Sequence, residues 1–349
     1  MELYVLNDSY EQIGIIDDYK SFIWSKRYSE FGDCELYIRA CPEYMTLLDK
    51  GNYLIRNDDD MICRIEAVEL DTDTENGDYL IITGNDCRKI LSQRIVWMQT
   101  NFSGTVENYI RKLITDNIVS PSITARRIDN FKLGASVGLT ERIEQQATYD
   151  ALDEKIIELC QTYGYGSKVT LDTDTGIFRF DLYVGLDRSY NQSVNDYVVF
   201  SSDFDNIISS IYKTDASEYK NVALVGGEGE GASRKRVTVG EYSGLSRYEV
   251  FVDAKSVSTD TEEGQTIDYD DALKSQGLEK LSEHRVITSF DGEVEPNHSY
   301  KYKTDYQLGD IVQVRNDYGI EASARITEVI ETWDDDGYSV IPTFEYVEV

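Results

Sequence analysis

The chain has 349 residues, enough for two or three domains that each bury a core. Its 34 basic and 65 acidic residues give a formal charge of −31, a repulsive field that argues against gripping nucleic acid though not against nucleic acid passing by. Four prolines against 26 tyrosines, with many Val, Ile and Thr residues and Asp-rich breaks, point to a β-dominated fold with charged turns.

The opening Met-Glu-Leu-Tyr-Val-Leu-Asn-Asp lacks a basic segment followed by an apolar stretch, so no export signal is expected, and no run approaches a membrane span. From Leu3 to about Trp97, short β-like runs alternate with turns: Leu3 to Leu6, Gln12 to Ile16, Cys34 to Arg39, Tyr53 to Arg56, Ile62 to Leu70 and Tyr79 to Thr83. That spacing suggests a small barrel or sandwich. Next, Thr105 to Asn117 places Val106, Tyr109, Ile110, Leu113 and Ile114 on one helical stripe, and Leu152, Ile156, Leu159 and Cys160 repeat the period, with Gly164 and Gly166 as the stop. A hairpin follows, Lys168 to Leu171 and Ile177 to Val184. The β texture then returns in Val198 to Phe200, Ile207 to Lys213, Asn221 to Val225, Arg236 to Val239 and Arg247 to Asp253. A helix from Asp270 to His284 interrupts it, Ser256 to Gly264 reads as an exposed loop, and strands run from Tyr300 to the end.

Two stretches repeat one another. Gly51-Asn-Tyr-Leu-Ile-Arg56 leads to Arg64-Ile65-Glu-Ala-Val68, an acidic turn ending at Gly77 and the run Tyr79 to Thr83. Gly309-Asp-Ile-Val-Gln-Val-Arg315 leads to Arg325-Ile326-Thr-Glu-Val329, the acidic turn Asp334 to Gly337 and the run Tyr338 to Thr343. The repeat predicts two copies of a small β-barrel, so that three chains around an axis would present six similar barrels to a six-fold ring.

Several motifs suggest chemistry and fail on context. Gly227, Gly229 and Ala232 satisfy the letter of a dinucleotide fingerprint, but Arg234-Lys-Arg-Val-Thr-Val239 continues as a strand and Glu228 and Glu230 sit where phosphates belong. Gly134-Ala-Ser136-Val-Gly138 spells a nucleophile elbow with His284 and His298 downstream as bases; the preceding residues make a poor buried strand, while Leu139 to Gln146 is compatible with a helix. The stretches Asp71 to Gly77 and Asp172 to Gly176 read as solvated turns in preference to calcium loops. Five cysteines (34, 41, 63, 87 and 160) have no metal-site spacing and read as free thiols of a reducing cytosol. No cofactor or metal site is expected.

"FGDCELYI" from Phe31, "GNDCRKILSQRIV" from Gly84, "YKNVALVGGEGEGASRKR" from Tyr219, "YEVFVDA" from Tyr248, "ITSFDGEVEP" from Ile287 and "YKTDYQLGDIVQVRNDYGIEASARITEVIE" from Tyr302 together resemble the ReqiPepy-type siphovirus tail proteins, within the broader phage tail-hub proteins. The resemblance spans nearly the whole chain. It implies a homotrimeric baseplate hub at the distal end of a phage or phage-like tail, adapting the six-fold tube to a three-fold spike or fibre. Many relatives continue into lytic or carbohydrate-binding modules; with the sequence stopping at Val349, a structural hub without lytic activity is the expectation, and a tail-associated hydrolase and a host-binding adhesin are the alternatives.

The expected fold is mainly β with an α+β insertion: two related small β-barrels plus an α/β domain, in a tail-hub architecture. The expected domains are a barrel over 1–99, an α/β insertion over 100–196 and a second barrel over 197–349 with its helix near 270–285. Gly226, Gly227, Glu228, Gly229, Glu230, Gly231, Arg234, Lys235 and Arg236 are expected to form an assembly loop of the second barrel. Gly51, Arg56, Arg64, Gly309, Arg315 and Arg325 define the repeat. The expected partners are two further copies, the tail tube or a distal-tail ring, a spike or fibre and the tape-measure protein, with DNA as transient cargo. The expected place is the tail tip, after synthesis in the host cytoplasm.

Overall fold

The computed structural model describes residues 1–75, 77–258, 267–294 and 300–347, and the fold is mainly β. Two compact units emerge, each gathered from separated segments: Met1–Lys89, Gly166–Lys213 and Thr288–Val349 form unit one, and Ile90–Tyr165 with Thr214–Ile287 form unit two. These divisions fall elsewhere than the three consecutive segments read from the sequence.

Unit one opens with β1 (Leu3–Leu6), β2 (Gln12–Ile16), β3 (Ser21–Arg27), β4 (Asp33–Arg39), the short helix α1 (Pro42–Leu47), β5 (Tyr53–Ile55), β6 (Ile62–Asp73) and β7 (Gly77–Asp86). Alternation sends Cys34, Leu36 and Ile38 of β4 and Leu80 and Ile82 of β7 into a core with Phe22, Trp24, Leu54 and Ile65. Cys41 caps α1, its Sγ accepting the Tyr44 N–H at 3.4 Å, and Pro42 takes the first helical position, where a missing N–H costs nothing. The other four cysteines are buried, and burial pushes the Cys63 and Cys87 thiols up.

The chain then enters unit two with β8 (Thr100–Thr105), α2 (Val106–Ile114), β9 (Phe131–Leu133), β10 (Arg142–Ala147) and α3 (Leu152–Tyr163). The α2 stripe is fully buried, as its spacing predicts. The stretch from Leu139 to Gln146 is not helical: β10 pairs antiparallel with β8 from Arg142↔Thr105 to Ala147↔Thr100. Its alternation is masked in the sequence because one inward residue is the polar Gln145, which donates to Glu279 Oε1 at 2.7 Å. Gly164, at φ +69°, ends α3.

Unit one resumes with β11 (Gly166–Asp172), β12 (Ile177–Tyr183), β13 (Val199–Ser201) and β14 (Ile207–Asp215). Gly166, read as part of the helix stop, instead begins β11, where a Cβ would overlap the rings of Tyr28 and Tyr183. Unit two takes β15 (Val222–Gly226), β16 (Arg236–Val239), β17 (Glu249–Asp253) and α4 (Tyr269–Glu283); unit one closes with β18 (Ile287–Val294), β19 (Ile311–Arg315), β20 (Glu321–Asp334) and β21 (Gly337–Tyr346). In unit two, β15 lies between antiparallel β16 and parallel β17, and α4 packs Ala272 and Leu273 against Ala223 and Val225.

Unit one is built on a 13-stranded sheet in the order β14-β18-β21-β20-β3-β4-β7-β6-β5-β1-β2, with β19 pairing β20 and β13. Within it the sequence repeat becomes a structural one. Gly51 donates to Ile65 O at 2.9 Å and Ile65 returns to Asn52 O at 2.8 Å; Gly309 donates to Ile326 O at 2.8 Å and Ile326 to Asp310 O at 2.9 Å. Both glycines have positive φ, +97° and +94°, which L side chains rarely adopt. β5 pairs β6 with Tyr53↔Arg64, and β19 pairs β20 with Ile311↔Arg325. The register then slips once in each module, between Ile65 and Ala67 and between Ile326 and Glu328, a bulge that re-aims the strand. Each arm runs on to a hairpin, Asp73↔Gly77 or Asp334↔Gly337, and returns in a strand of 10 residues. The second module has its own core, Val198, Phe200, Val312, Val314, Ile326 and Phe344.

Candidate functional site

The repeat-defining residues occupy distinct roles. Arg325 Nη1 donates to Gly309 O at 2.8 Å, and its counterpart Arg64 lies beside Gly51. Arg56 and Arg315 do not coincide: strand register sets Arg56 against Val314. Arg315 is an outer residue paired with Asp203 at 3.1 Å. Arg56 is buried at the joint between the two modules, where it meets Glu331 and Asp58 and lies 4.3 Å from the Trp333 ring centroid.

That joint is made by β3 and β20, antiparallel from Arg27↔Glu328 to Ser21↔Asp334. Next to it opens a cleft of about 630 Å³ lined by Lys26, Asp58, Asp59, Asp60, Lys168, Tyr183, Tyr302 and Lys303 among others. Its charges are matched one against another: Lys26 to Asp59 at 2.9 Å and Asp60 at 3.1 Å, Lys168 to Asp60 at 2.6 Å, and Lys303 to Asp59 at 2.6 Å. Burial works to raise the Asp59 and Asp60 carboxyls, yet the lysines beside them hold both below the usual carboxylate range. Such pairing fixes the geometry of the lining. Sequence reading missed this network, whose only local signal is the run Asn57-Asp-Asp-Asp60.

The Leu-Gly-Asp motif finds its reason here. The buried carboxylate of Asp310 accepts from Leu186 N at 2.7 Å and Gln307 N at 3.0 Å and pairs with Arg188 at 2.8 Å, tying the strand start to the segment that follows β12. In "GNDCRK", Arg88 is buried, donating to Asp86, Ser167 O at 2.9 Å and Arg27 O at 3.0 Å.

The glycine loop joins β15 to β16 within the small sheet of unit two, not strands of the second β module. No helix starts after it beyond the single 3-10 turn Gly231–Ser233, so the geometry of a phosphate cradle is missing. The loop is closed on itself. Arg234 donates to Gly226 O at 2.6 Å and Gly227 O at 2.9 Å and pairs with Asp253; Lys235 pairs with Asp270 at 2.6 Å; Arg236 donates to Gly231 O at 2.8 Å. Glu228 accepts from Ser258 Oγ at 2.6 Å, and its N–H donates to Tyr269 Oη at 2.7 Å.

The nucleophile-elbow letters have a different role. The N–H groups of Val137, Gly138 and Leu139 converge on the Glu107 carboxylate at 2.8, 2.8 and 2.9 Å. Burial works to raise that carboxyl, and a hydrogen bond from the Ser136 side chain together with these three N–H bonds holds it below its ordinary value. The donors an oxyanion would need are therefore occupied by a side chain. His284 caps α4, its Nδ1 3.1 Å from Glu218 O; His298 lies outside the described residues, as do positions 259–264 of the acidic loop. Asp172 Oδ1 accepts from Asp174 N at 3.0 Å and Thr175 N at 3.2 Å, the bonding of a hairpin turn. Asp73 Oδ1 similarly accepts from Glu75 N at 2.7 Å. Among the described residues no group of three or more His, Cys, Asp or Glu side chains is placed to hold a metal ion, and no helix is long and apolar enough to cross a membrane.

The mainly β fold is similar to that of phage tail proteins. The chain belongs to the siphovirus tail family described as Siphovirus ReqiPepy6 Gp37-like protein, whose model matches residues 2–344. It is similar in fold to the tail protein from Neisseria meningitidis MC58, at 13% identity and TM-score 0.59 over 98% of this chain and 95% of that one. The 43 kDa tail protein of prophage MuSo2 from Shewanella oneidensis is similar at 12% identity and TM-score 0.58, over 99% and 98%. The prophage tail protein gp18 from Listeria monocytogenes EGD-e is similar at 12% identity and TM-score 0.53, over 99% and 94%. No curated protein matches this chain.

Proposed function

We infer that this tail protein is a structural baseplate hub at the distal end of a phage or phage-like tail, acting by assembly and not by catalysis. The observation that supports the reading is the duplicated module: Gly51 and Gly309, the paired bulges and the paired hairpins give one chain two similar β modules, each of which the reading takes as a docking unit. Three copies then offer six such units to a six-fold tube or distal-tail ring on one side and a three-fold spike or fibre on the other. The tape-measure protein and DNA are transient occupants of the axial channel, and a charge of −31 disfavours phosphates sticking there. The loop Gly226–Gly231 enters this reading as a contact with a neighbouring subunit or ring. Arg234 and Lys235 are held within their own unit, so pairing across that contact falls to Arg236 and Glu230.

Imaging particles that carry a tagged chain tests the reading. Label confined to the distal end of the tail supports a hub, and label along the tube or on the head contradicts it. Clearing of cell-wall substrate in a zymogram by the purified chain would instead support a tail-associated hydrolase, and direct binding to cell-surface glycan an adhesin.

A further inference from the structure

The two modules of unit one differ in what lies beside one strand. The first runs β3-β4-β7-β6-β5 and the second β14-β18-β21-β20-β19, so β14 holds the place that β3 holds in the first. β3 is flanked on both edges, by β4 and by the arm of β20 from Glu328 to Asp334. Among the described residues β14 stands at the end of the sheet, beside β18. The side chains differ as well: Phe22 and Trp24 of β3 are fully buried, whereas Ile208 and Ile211, on opposite faces of β14, are 57% and 67% exposed. The covering arm has a counterpart as well. The stretch of β6 beyond its own bulge, Ala67 to Asp73, corresponds to Glu328 to Asp334. β5 pairs with β6 only through Ile62, Cys63 and Arg64, so among the described residues no strand lies along the outer edge of that arm, and Leu70 within it is 48% exposed. Uncovered edges bearing apolar side chains are templates for another strand.

We propose that β14 of one copy pairs antiparallel with the Ala67–Asp73 arm of β6 in a second copy of this chain, repeating between copies the joint that β3 and β20 make within one. The occupant is a second copy because each chain carries both halves of a joint that its own fold already demonstrates. Charge argues the same way: the arm bears Glu69 and Asp71 and repels another arm, whereas β14 from Ile207 to Tyr212 has no acidic residue. The contact is head to tail, so each copy uses both surfaces and the modules alternate around a ring or along a filament. The proposal rests on the hub reading only for closure at three copies.

The test uses the full chain with Cys41→Ser, which removes the one cysteine that is not buried and keeps a cap on α1. Leu70→Cys is combined in turn with single cysteines at positions 208 to 212, a scan that covers both faces of β14 and successive registers. All are surface sites, and oxidised samples are read on non-reducing gels beside the native mass. The expected result is cross-linking between copies at alternate positions of β14, ending at three chains, with no link when either cysteine is present alone. Linking by the β14 cysteine alone would overturn the pairing in favour of like edges meeting. A three-chain mass with no link at any position would overturn the pairing and leave the hub reading standing; a chain that stays monomeric at its highest soluble concentration contradicts both.

Discussion

Arg56 and Glu331 stand 275 residues apart in the chain and face each other through two parallel bonds, Nη1 to Oε2 at 3.0 Å and Nη2 to Oε1 at 3.2 Å. With 3% and 2% of their surfaces exposed, both charges depend on the partner for what water no longer supplies. Glu331→Ala leaves a buried guanidinium with only Asp58, and the expected loss is about 3–5 kcal/mol of stability in denaturant unfolding. Replacing both, as Arg56→Met with Glu331→Leu, is expected to recover most of that loss. Equal destabilisation by the single and the double change would contradict the assignment.

The carboxylates of the cleft predict acid sensitivity. Asp59 is fully buried as a side chain, and Lys26 and Lys303 hold it depressed against the upward push of burial. A carboxyl with a depressed folded pKa contributes stability that is present above its unfolded value, about 4, and is lost as pH falls through the folded one. The unfolding midpoint should therefore hold down to about pH 4 and drop below it. Asp59→Asn is expected to lower stability at neutral pH and to flatten the acid limb; an unchanged limb would count against the lysines as the cause.

Glu107 anchors the loop that spells a nucleophile elbow. Glu107→Ala frees three N–H groups at once and should cost about 2–3 kcal/mol, seen as faster amide exchange at Val137, Gly138 and Leu139. Ser136→Ala should leave any activity of the preparation unaltered, since the carboxylate that its side chain bonds, Glu107, is already committed to three backbone N–H groups. Loss of a measurable hydrolysis in that variant would reinstate a catalytic reading.

Arg234 ties its glycine loop through two carbonyls, Asp253 and the face of Phe251, whose ring centroid is 5.3 Å away. Arg234→Ala should open the segment Glu228 to Ser233 to limited proteolysis while the rest of the chain resists. Arg236→Ala removes only an exposed bond to Gly231 O and should not. An effect of Arg236→Ala confined to assembly would support the loop as an intersubunit contact.

Much of the architecture was legible because it rests on period and punctuation. The stripe of α2, the glycine that stops α3 and the hairpin glycines Gly77 and Gly337 each act locally, so the sequence carries their signal directly. The duplication was legible for the same reason: the glycine, the following strand and the Arg-Ile pair must recur wherever the same bulged arm is built. β3 is harder to read, because Ile23 between Phe22 and Trp24 fills in the alternation. β10 hides behind Gln145, a polar residue whose partner Glu279 lies 134 positions on. The site failed to appear for a longer-range reason. Arg56 looked like a repeat marker beside Arg315, and only the fold brings Glu331 and Trp333 to it. The lysines around Asp59 come from positions 26 and 303, a convergence that no local pattern encodes.

In the proposed hub, three chains turn the two β modules of each into a six-unit ring. Electron cryomicroscopy of the purified assembly, with native mass from the same sample, tests it most directly. Such a hub should have the mass of three 39.9 kDa chains and form a ring of six similar lobes in three-fold symmetry around an open channel. A two-fold particle, or a three-fold one whose axis is lined by unit two with the β modules apart from one another, would contradict it.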